Sequence, residues 1–230
     1  PPPEFAPLDD PMPVVQWMHS VLQQGGIPHA LCFPSSGVRL SEAALKAGLS
    51  LKGAQLSVGG EPSTINRFNA IVESGLTPLN RYGSMETGAI AYGCLSAEAV
   101  DEVHLQQDMF GLVQQAGLDG LPEDALLVTN LHQSTPFLYL NMSMGDAATI
   151  NHRECGCPMN HYPQSIKLSH IHSFDKLTAG GVTFSADNLI PVLERHLPSR
   201  YGGSSTDYQL VETESAQGDP QILLRVAPRV

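Results

Sequence analysis

Cys94 and His104 close the two ends of one short segment, CLSAEAVDEVH, and Cys155 and Cys157 flank a single glycine in CGC. Thiolate sulfur and imidazole nitrogen are the donors of closed tetrahedral zinc sites, in which four protein ligands leave no position for water or substrate. Two such pairs far apart in sequence would clamp one loop onto the sheet, with a spacing looser than a zinc finger's. The same residues admit two other readings: free buried thiols, or a redox pair at Cys155 and Cys157, which would be strained at that spacing. His152 or His161 could replace His104 as the fourth ligand. Cys32, inside the apolar run HALCF, reads as a core side chain.

A second group of residues suits a nucleotide. SVGGEPST sets Gly59, Gly60 and Glu61 after a strand candidate and before a helix, where backbone can approach a ligand and helix N–H groups point outward. RYGSMET follows the next strand candidate and carries Tyr82, Gly83, Ser84 and the lone acid Glu86. In a parallel sheet both turns fall on one edge, the edge at which α/β proteins bind ligands. Met144-Gly145-Asp146 ends a later strand candidate with a carboxylate that can accept hydrogen bonds from ribose hydroxyls. Taken singly, the Gly59–Glu61 segment and Asp146 read first as ordinary turns. His132 reads as surface, His170 and His172 alternate along SHIHSF, and Ser84 lacks the Gly-x-Ser-x-Gly elbow of a hydrolase triad.

Several elements must hold these residues. PVVQWMHSVLQQGG places Val14, Met18, Val21 and Leu22 on one helical face and stops at Gly25 and Gly26. HALCF is a short buried strand; LSEAALKAG is a helix with Ser41 as N-cap and Gly48 as terminator. AQLSVGG is the next strand, and PSTINRFNAIVESG is a helix opening after Ser63 and closing at Gly75. Such helix–strand steps predict an α/β fold with a helix-covered, mostly parallel sheet. A β-rich segment follows, with ALLVTNL and PFLYLNMSMGD as strands. SADNLIPVLERHLP is then a helix capped by Ser185, and DYQLVETESAQGDPQILLRV a hairpin turning at Gln217-Gly218-Asp219.

Composition narrows the function. With 230 residues, 42% apolar and 15% charged, the chain can bury a sizeable core, and no run of eighteen apolar positions suggests a membrane span. A net charge of −11 argues against nucleic acid and anionic membrane as partners, since both need clustered Lys and Arg. The stretch PPPEFAPLDDP has neither the basic nor the apolar region of a signal peptide, so a cytoplasmic location is expected. Four cysteines are too few for a disulfide scaffold at this length.

In this order the segments resemble the adenylate-forming ligases, specifically their phenylacetate–CoA ligase-like branch. The resemblance runs from about Pro34 to Val226 and includes PSSGVRLSEAALKAGLSLKGAQLSVGGEPST, YGSMETG, LLVTNL with PFLYLNMSMGD, and FDKLTAGGVTFSADNLIPVLE. It implies that ATP and a small carboxylic acid give an acyl-adenylate, which the thiol of coenzyme A or of a carrier protein then attacks. Gly59, Gly60 and Glu61 would line the adenine, Tyr82 would stack on it, Gly83 and Ser84 would belong to the same site, Glu86 would hold Mg²⁺, and Asp146 would bind the ribose. The branch has members with a Cys/His plus Cys-x-Cys zinc at the places of Cys94, His104, Cys155 and Cys157. Residues 1–172 would be part of the large domain and 173–230 the beginning of a small α+β lid. Met85 stands where the family places Ser or Thr, and His172 where it places Arg, leaving Asp175 or Lys176 as the hinge. The family's phosphate loop and lid lysine have no counterpart in residues 1–230, so the chain is expected to be a piece of a longer ligase, inactive alone.

Overall fold

The computed structural model describes residues 6–7, 10–114, 120–133, 135, 137–161, 165–174, 176–179, 182–214, 220–228 and 230. Nine strands form one sheet: β1 (His29–Cys32), β2 (Gln55–Val58), β3 (Thr77–Ser84), β4 (Gly88–Gly93), β5 (Val103–Leu105), β6 (Phe110–Val113), β7 (Ala125–Asn130), β8 (Met142–His152) and β9 (Ile166–Ser173). Their order is β1-β2-β3-β4-β5-β9-β8-β7-β6. The expected parallel arrangement holds for β1, β2 and β3, and the sheet becomes antiparallel at the β3–β4 hairpin. The chain divides into two compact units: residues 1–111, 129–138 and 149–170, and residues 112–128, 139–148 and 171–230.

In the first unit, α1 (Met12–Gln23), α2 (Pro34–Lys46) and α3 (Ile65–Val72) alternate with the parallel strands. Val15, Met18, Val38, Leu51, Leu56, Val58 and Ile71 form its buried core. Each such side chain contributes about 1.5–3 kcal/mol by leaving water. Val15, not Val14, lies deepest on α1. The α2 helix begins at Pro34, whose fixed φ suits a first helical position, so Ser41 is not an N-cap. Ser41 is a buried mid-helix residue whose hydroxyl donates to the Ala70 carbonyl at 2.6 Å, tying α2 to α3. Gly48, at φ 67°, ends that helix in the left-handed region. The cap of α3 is Thr64, which accepts from the Arg67 N–H at 3.3 Å. HALCF is not a buried strand: among the described residues β1 ends the sheet, and Leu31 within it and Phe33 just after it are 60% and 53% exposed.

Strand β8 does not stop at Asp146 but continues to His152, and residues 137–141 precede it outside any strand. The β7–β8 register pairs Ala125 with Ala147 and Leu127 with Ser143, a shift that places a bulge at Met144–Asp146. Gly145, at φ 82°, lies in that bulge, and its carbonyl accepts from the Phe174 N–H at 2.9 Å. Hairpins follow at β10 (Lys176–Ala179) with β11 (Val182–Ser185), and at β12 (Tyr208–Glu214) with β13 (Pro220–Val226). Between them the expected single helix is broken: α4 (Ala186–Pro191) contains Pro191, a π-helical turn spans Val192–His196, and α5 (Leu197–Tyr201) completes it. The Gln217–Asp219 turn, Asp175, and the side chains of Ser185, Lys176 and His161 lie outside the described residues.

Candidate functional site

Strand β5 and the turn before it build one half of a candidate metal cluster. Cys94 follows β4, and its N–H donates to the Glu102 carbonyl at 3.1 Å, which returns the chain into β5 beside it. His104 on β5 is fully buried, opposite Tyr92 on one side and Lys167 of β9 on the other. The other half comes from the segment after β8. There Arg153 forms ion pairs with the buried Glu102 at 2.5 Å and with Glu98 at 3.3 Å, anchoring the Cys-Gly-Cys segment to the Cys94 loop.

The donor atoms then meet. Sγ of Cys94 and Sγ of Cys155 are 3.7 Å apart, Sγ of Cys155 and Sγ of Cys157 3.3 Å, Nε2 of His104 lies 3.1 Å from Sγ of Cys157 and 3.5 Å from Sγ of Cys155. All four donors lie within 4.8 Å of one another, and among the described residues they are the group of His, Cys and acidic side chains that could hold an ion. A tetrahedral zinc with ordinary bond lengths sets sulfurs about 3.8 Å apart and sulfur from nitrogen about 3.6 Å. The cluster therefore fits zinc in size and donor type. The Cys155 and Cys157 sulfurs, 3.3 Å apart, are not joined in a disulfide in this structure. His152 is exposed and outside the cluster, so His104 is the histidine that joins it.

Electrostatics differ within the cluster. Burial pushes the Cys94 thiol up to about 12, the neighbouring thiols adding to the rise. At Cys155 burial acts in the same direction, but the Cys157 N–H, the Cys157 and Cys94 thiols and the Lys167 ammonium outweigh it and hold the thiol below its usual range. Cys32 stands apart from the cluster, packed against the core, with burial and the Glu61 charge pushing its thiol up to about 11.

The parallel register of β2 and β3 puts their two C-terminal turns on the same sheet edge, as expected. At the first turn a Cβ on Gly59 would stand 2.2 Å from the Arg81 carbonyl oxygen, so β3 comes this close because no side chain is there. Glu61 is engaged in the protein: its carboxylate accepts from the Ser35 N–H at 3.1 Å, the Ser35 hydroxyl at 2.9 Å and the Arg67 guanidinium at 3.1 Å. It thus pins the start of α2 to α3 and complements the positive end of α2. At the second turn Ser84 pairs with Gly88, and a Cβ on Gly83 would lie 1.9 Å from the Gly88 carbonyl. The Ser84 hydroxyl accepts from the Glu86 and Thr87 N–H groups at 3.2 and 3.3 Å. Tyr82 is buried and Met85 is 99% exposed. The Glu86 carboxyl is fully in solvent, and its hydrogen bond with Ser84 holds it below the usual range. Asp146 belongs to the second unit, in the β8 bulge, where re-aimed side chains are common.

Sequence reasoning missed Lys167, Arg153, Glu102 and Ser35. Lys167 alternates with apolar positions as a solvent-facing strand lysine would, and its complete burial has no signal in sequence. Arg153 and Glu102 look like loop charges until the two loops meet.

The fold matches solved structures. A 2-hydroxyisobutyryl-CoA ligase in the postadenylation state with R3-HIB-AMP aligns over 95% of this chain and 46% of its own, at 17% identity and TM-score 0.64. The same ligase with 2-HIB-AMP and CoA in the thioesterification state covers 94% and 45%, at 19% identity and TM-score 0.57. The amide bond synthetase McbA from Marinactinospora thermotolerans covers 96% and 44%, at 14% identity and TM-score 0.50. No protein-family model matches the chain, and no curated protein matches it. The chain thus has the fold of adenylate-forming ligases and spans a little under half the length of those it matches.

Proposed function

We propose that this chain is part of an ATP-dependent acyl-adenylating ligase. In that reaction a carboxylate oxygen attacks the α-phosphorus of ATP, giving acyl-AMP and pyrophosphate, and a thiol of coenzyme A or a carrier protein then takes the acyl group and releases AMP. The observation that carries the reading is a fold match over 95% of the chain to a ligase solved with an acyl-adenylate, joined to two turns on one edge of β2 and β3. The backbone of Gly59 and Gly60 offers close approach beside the adenine, and Tyr82 supplies an aromatic ring near it. Gly83 permits the tight second turn, and Ser84 orders it and holds Glu86 as an ionised carboxylate. Glu86 would hold Mg²⁺ against the phosphates, a hard cation on oxygen ligands, so that charge built up in phosphoryl transfer is offset. Glu61 acts by bracing α2 and α3. Assignment of Asp146 to the ribose rests on the sequence resemblance.

Cys94, His104, Cys155 and Cys157 would hold a structural zinc, which supports placing the protein in the phenylacetate–CoA ligase-like branch. The residues bring four donors to within 4.8 Å of one another, and an ion held there would supply cohesion between two loops. Such cysteine usage fits a reducing compartment, the cytoplasm.

Exposed Met85, where the family carries a hydroxyl, favours a second reading: a nucleotide- or acyl-binding module that does no chemistry. Calorimetry with ATP and Mg²⁺, followed by pyrophosphate release across a panel of carboxylic acids, separates the two. Binding with acid-dependent pyrophosphate supports the ligase, binding alone the module, and no binding by the full-length gene product removes both.

A further inference from the structure

We propose that Lys167 is the buried counter-charge of the metal centre, its ammonium offsetting the negative charge that three thiolates and one imidazole keep when they hold a divalent ion. The inference rests on the zinc reading above. A divalent ion with three thiolates and a neutral imidazole carries one net negative charge, and three of the four donor residues lie away from water, with Cys94 6%, Cys157 4% and His104 0% exposed, while Cys155 is half-buried. Such a charge needs a nearby cation.

Lys167 meets that need by position and because, among the described residues, no carboxylate already neutralises it. It is 0% exposed and heads the fully buried side chains by volume. Its ammonium donates to the carbonyl of Arg153, two residues before Cys155. In the antiparallel β5–β9 pairing it lies directly across from His104, so the two side chains share a face of the sheet. The other cation beside the cluster, Arg153, is already neutralised by Glu102 and Glu98. A lysine buried with no carboxylate is costly in a metal-free protein and appropriate beside an anionic centre, so its place in the fold is explained by the ion.

The test uses Lys167→Gln, which keeps a donor for the Arg153 carbonyl and removes the charge. Zinc per chain is measured first by mass spectrometry, then zinc affinity by competition with a chromogenic chelator, and cobalt substitution reports thiolate ligation through its absorption bands. The expected result is one zinc in the wild type, affinity weakened by about 10–100-fold in Lys167→Gln, and unchanged cobalt–thiolate bands. Cys155→His makes the loaded centre neutral, and in that background Lys167→Gln is expected to cost nothing. Zinc affinity in Lys167→Gln within about twofold of wild type overturns the proposal, whereas wild type without zinc overturns the zinc reading beneath it. If Lys167→Gln does not fold, its rescue by Cys155→His supports the proposal and failure of rescue overturns it.

Discussion

The candidate metal cluster and the β2–β3 edge are built in opposite ways within one unit of the molecule. The cluster gathers side chains 53 and 61 residues apart in sequence, and it is complete in itself once its four donors converge. The edge is made from local turns, its key contacts are backbone, and its tip points to solvent with Met85 and Glu86 exposed. A closed centre contributes to stability, because whatever binds it binds the folded state. An open edge that takes the nucleotide as proposed would contribute recognition rather than stability. Substitutions in the first should therefore move the melting temperature, and those in the second should move affinity.

The largest effect is expected from Cys155→Ser combined with Cys157→Ser. Metal content should fall from about one zinc per chain to none. With free zinc about 100-fold above Kd the ion contributes about 2.7 kcal/mol, worth a fall of about 5–10 °C in a chain of this size. Unchanged zinc or an unchanged midpoint would dissolve the contrast drawn here. Gly83→Ala should come next and should break the edge without touching the metal. The added methyl meets the Gly88 carbonyl at 1.9 Å, backbone against backbone, for a cost of about 1–3 kcal/mol. Differential scanning should show the lower midpoint, and metal analysis should show zinc retained.

Glu86→Gln should leave the midpoint where it is, since the side chain is in solvent. Calorimetry should show Mg²⁺-dependent ATP affinity reduced by about tenfold, the scale of one hydrogen bond or ligand to a charged group. Equal affinity would remove Glu86 from the site. The smallest effect concerns pH. Burial raises the Cys94 thiol from 9.0 to about 12 and Cys32 from 9.0 to about 11, so the folded metal-free protein binds more protons than the unfolded chain between these values. Stability of the metal-free protein should therefore decline as pH rises above about 9. Zinc bound as proposed would hold Cys94 as the thiolate and should remove that residue's share, and pH-dependent unfolding with and without chelator measures the difference.

Much of the local structure was legible from residue types. Gly48 and Gly75 end helices, Gly59 and Gly60 close a strand, and Tyr82-Gly83-Ser84 enters a turn, because glycine's conformational freedom and apolar periodicity act over a few residues. The same locality explains the errors. Ser41 has the chemistry of a cap, but α2 starts at Pro34, and only the packing of α2 on α3 turns the Ser41 hydroxyl to Ala70. Met144-Gly145-Asp146 has the composition of a strand end, and the register with β7 makes it a bulge within a longer strand. The sequence by itself determined the donor types at Cys94, His104, Cys155 and Cys157, since thiol and imidazole are fixed by the residue. Choosing His104 over His152, bringing the donors within 4.8 Å, and burying Lys167 opposite His104 were decided by tertiary structure. Distances between residues so far apart along the chain are set by strand order and register, which sum interactions over the whole sheet and leave no mark on any single segment.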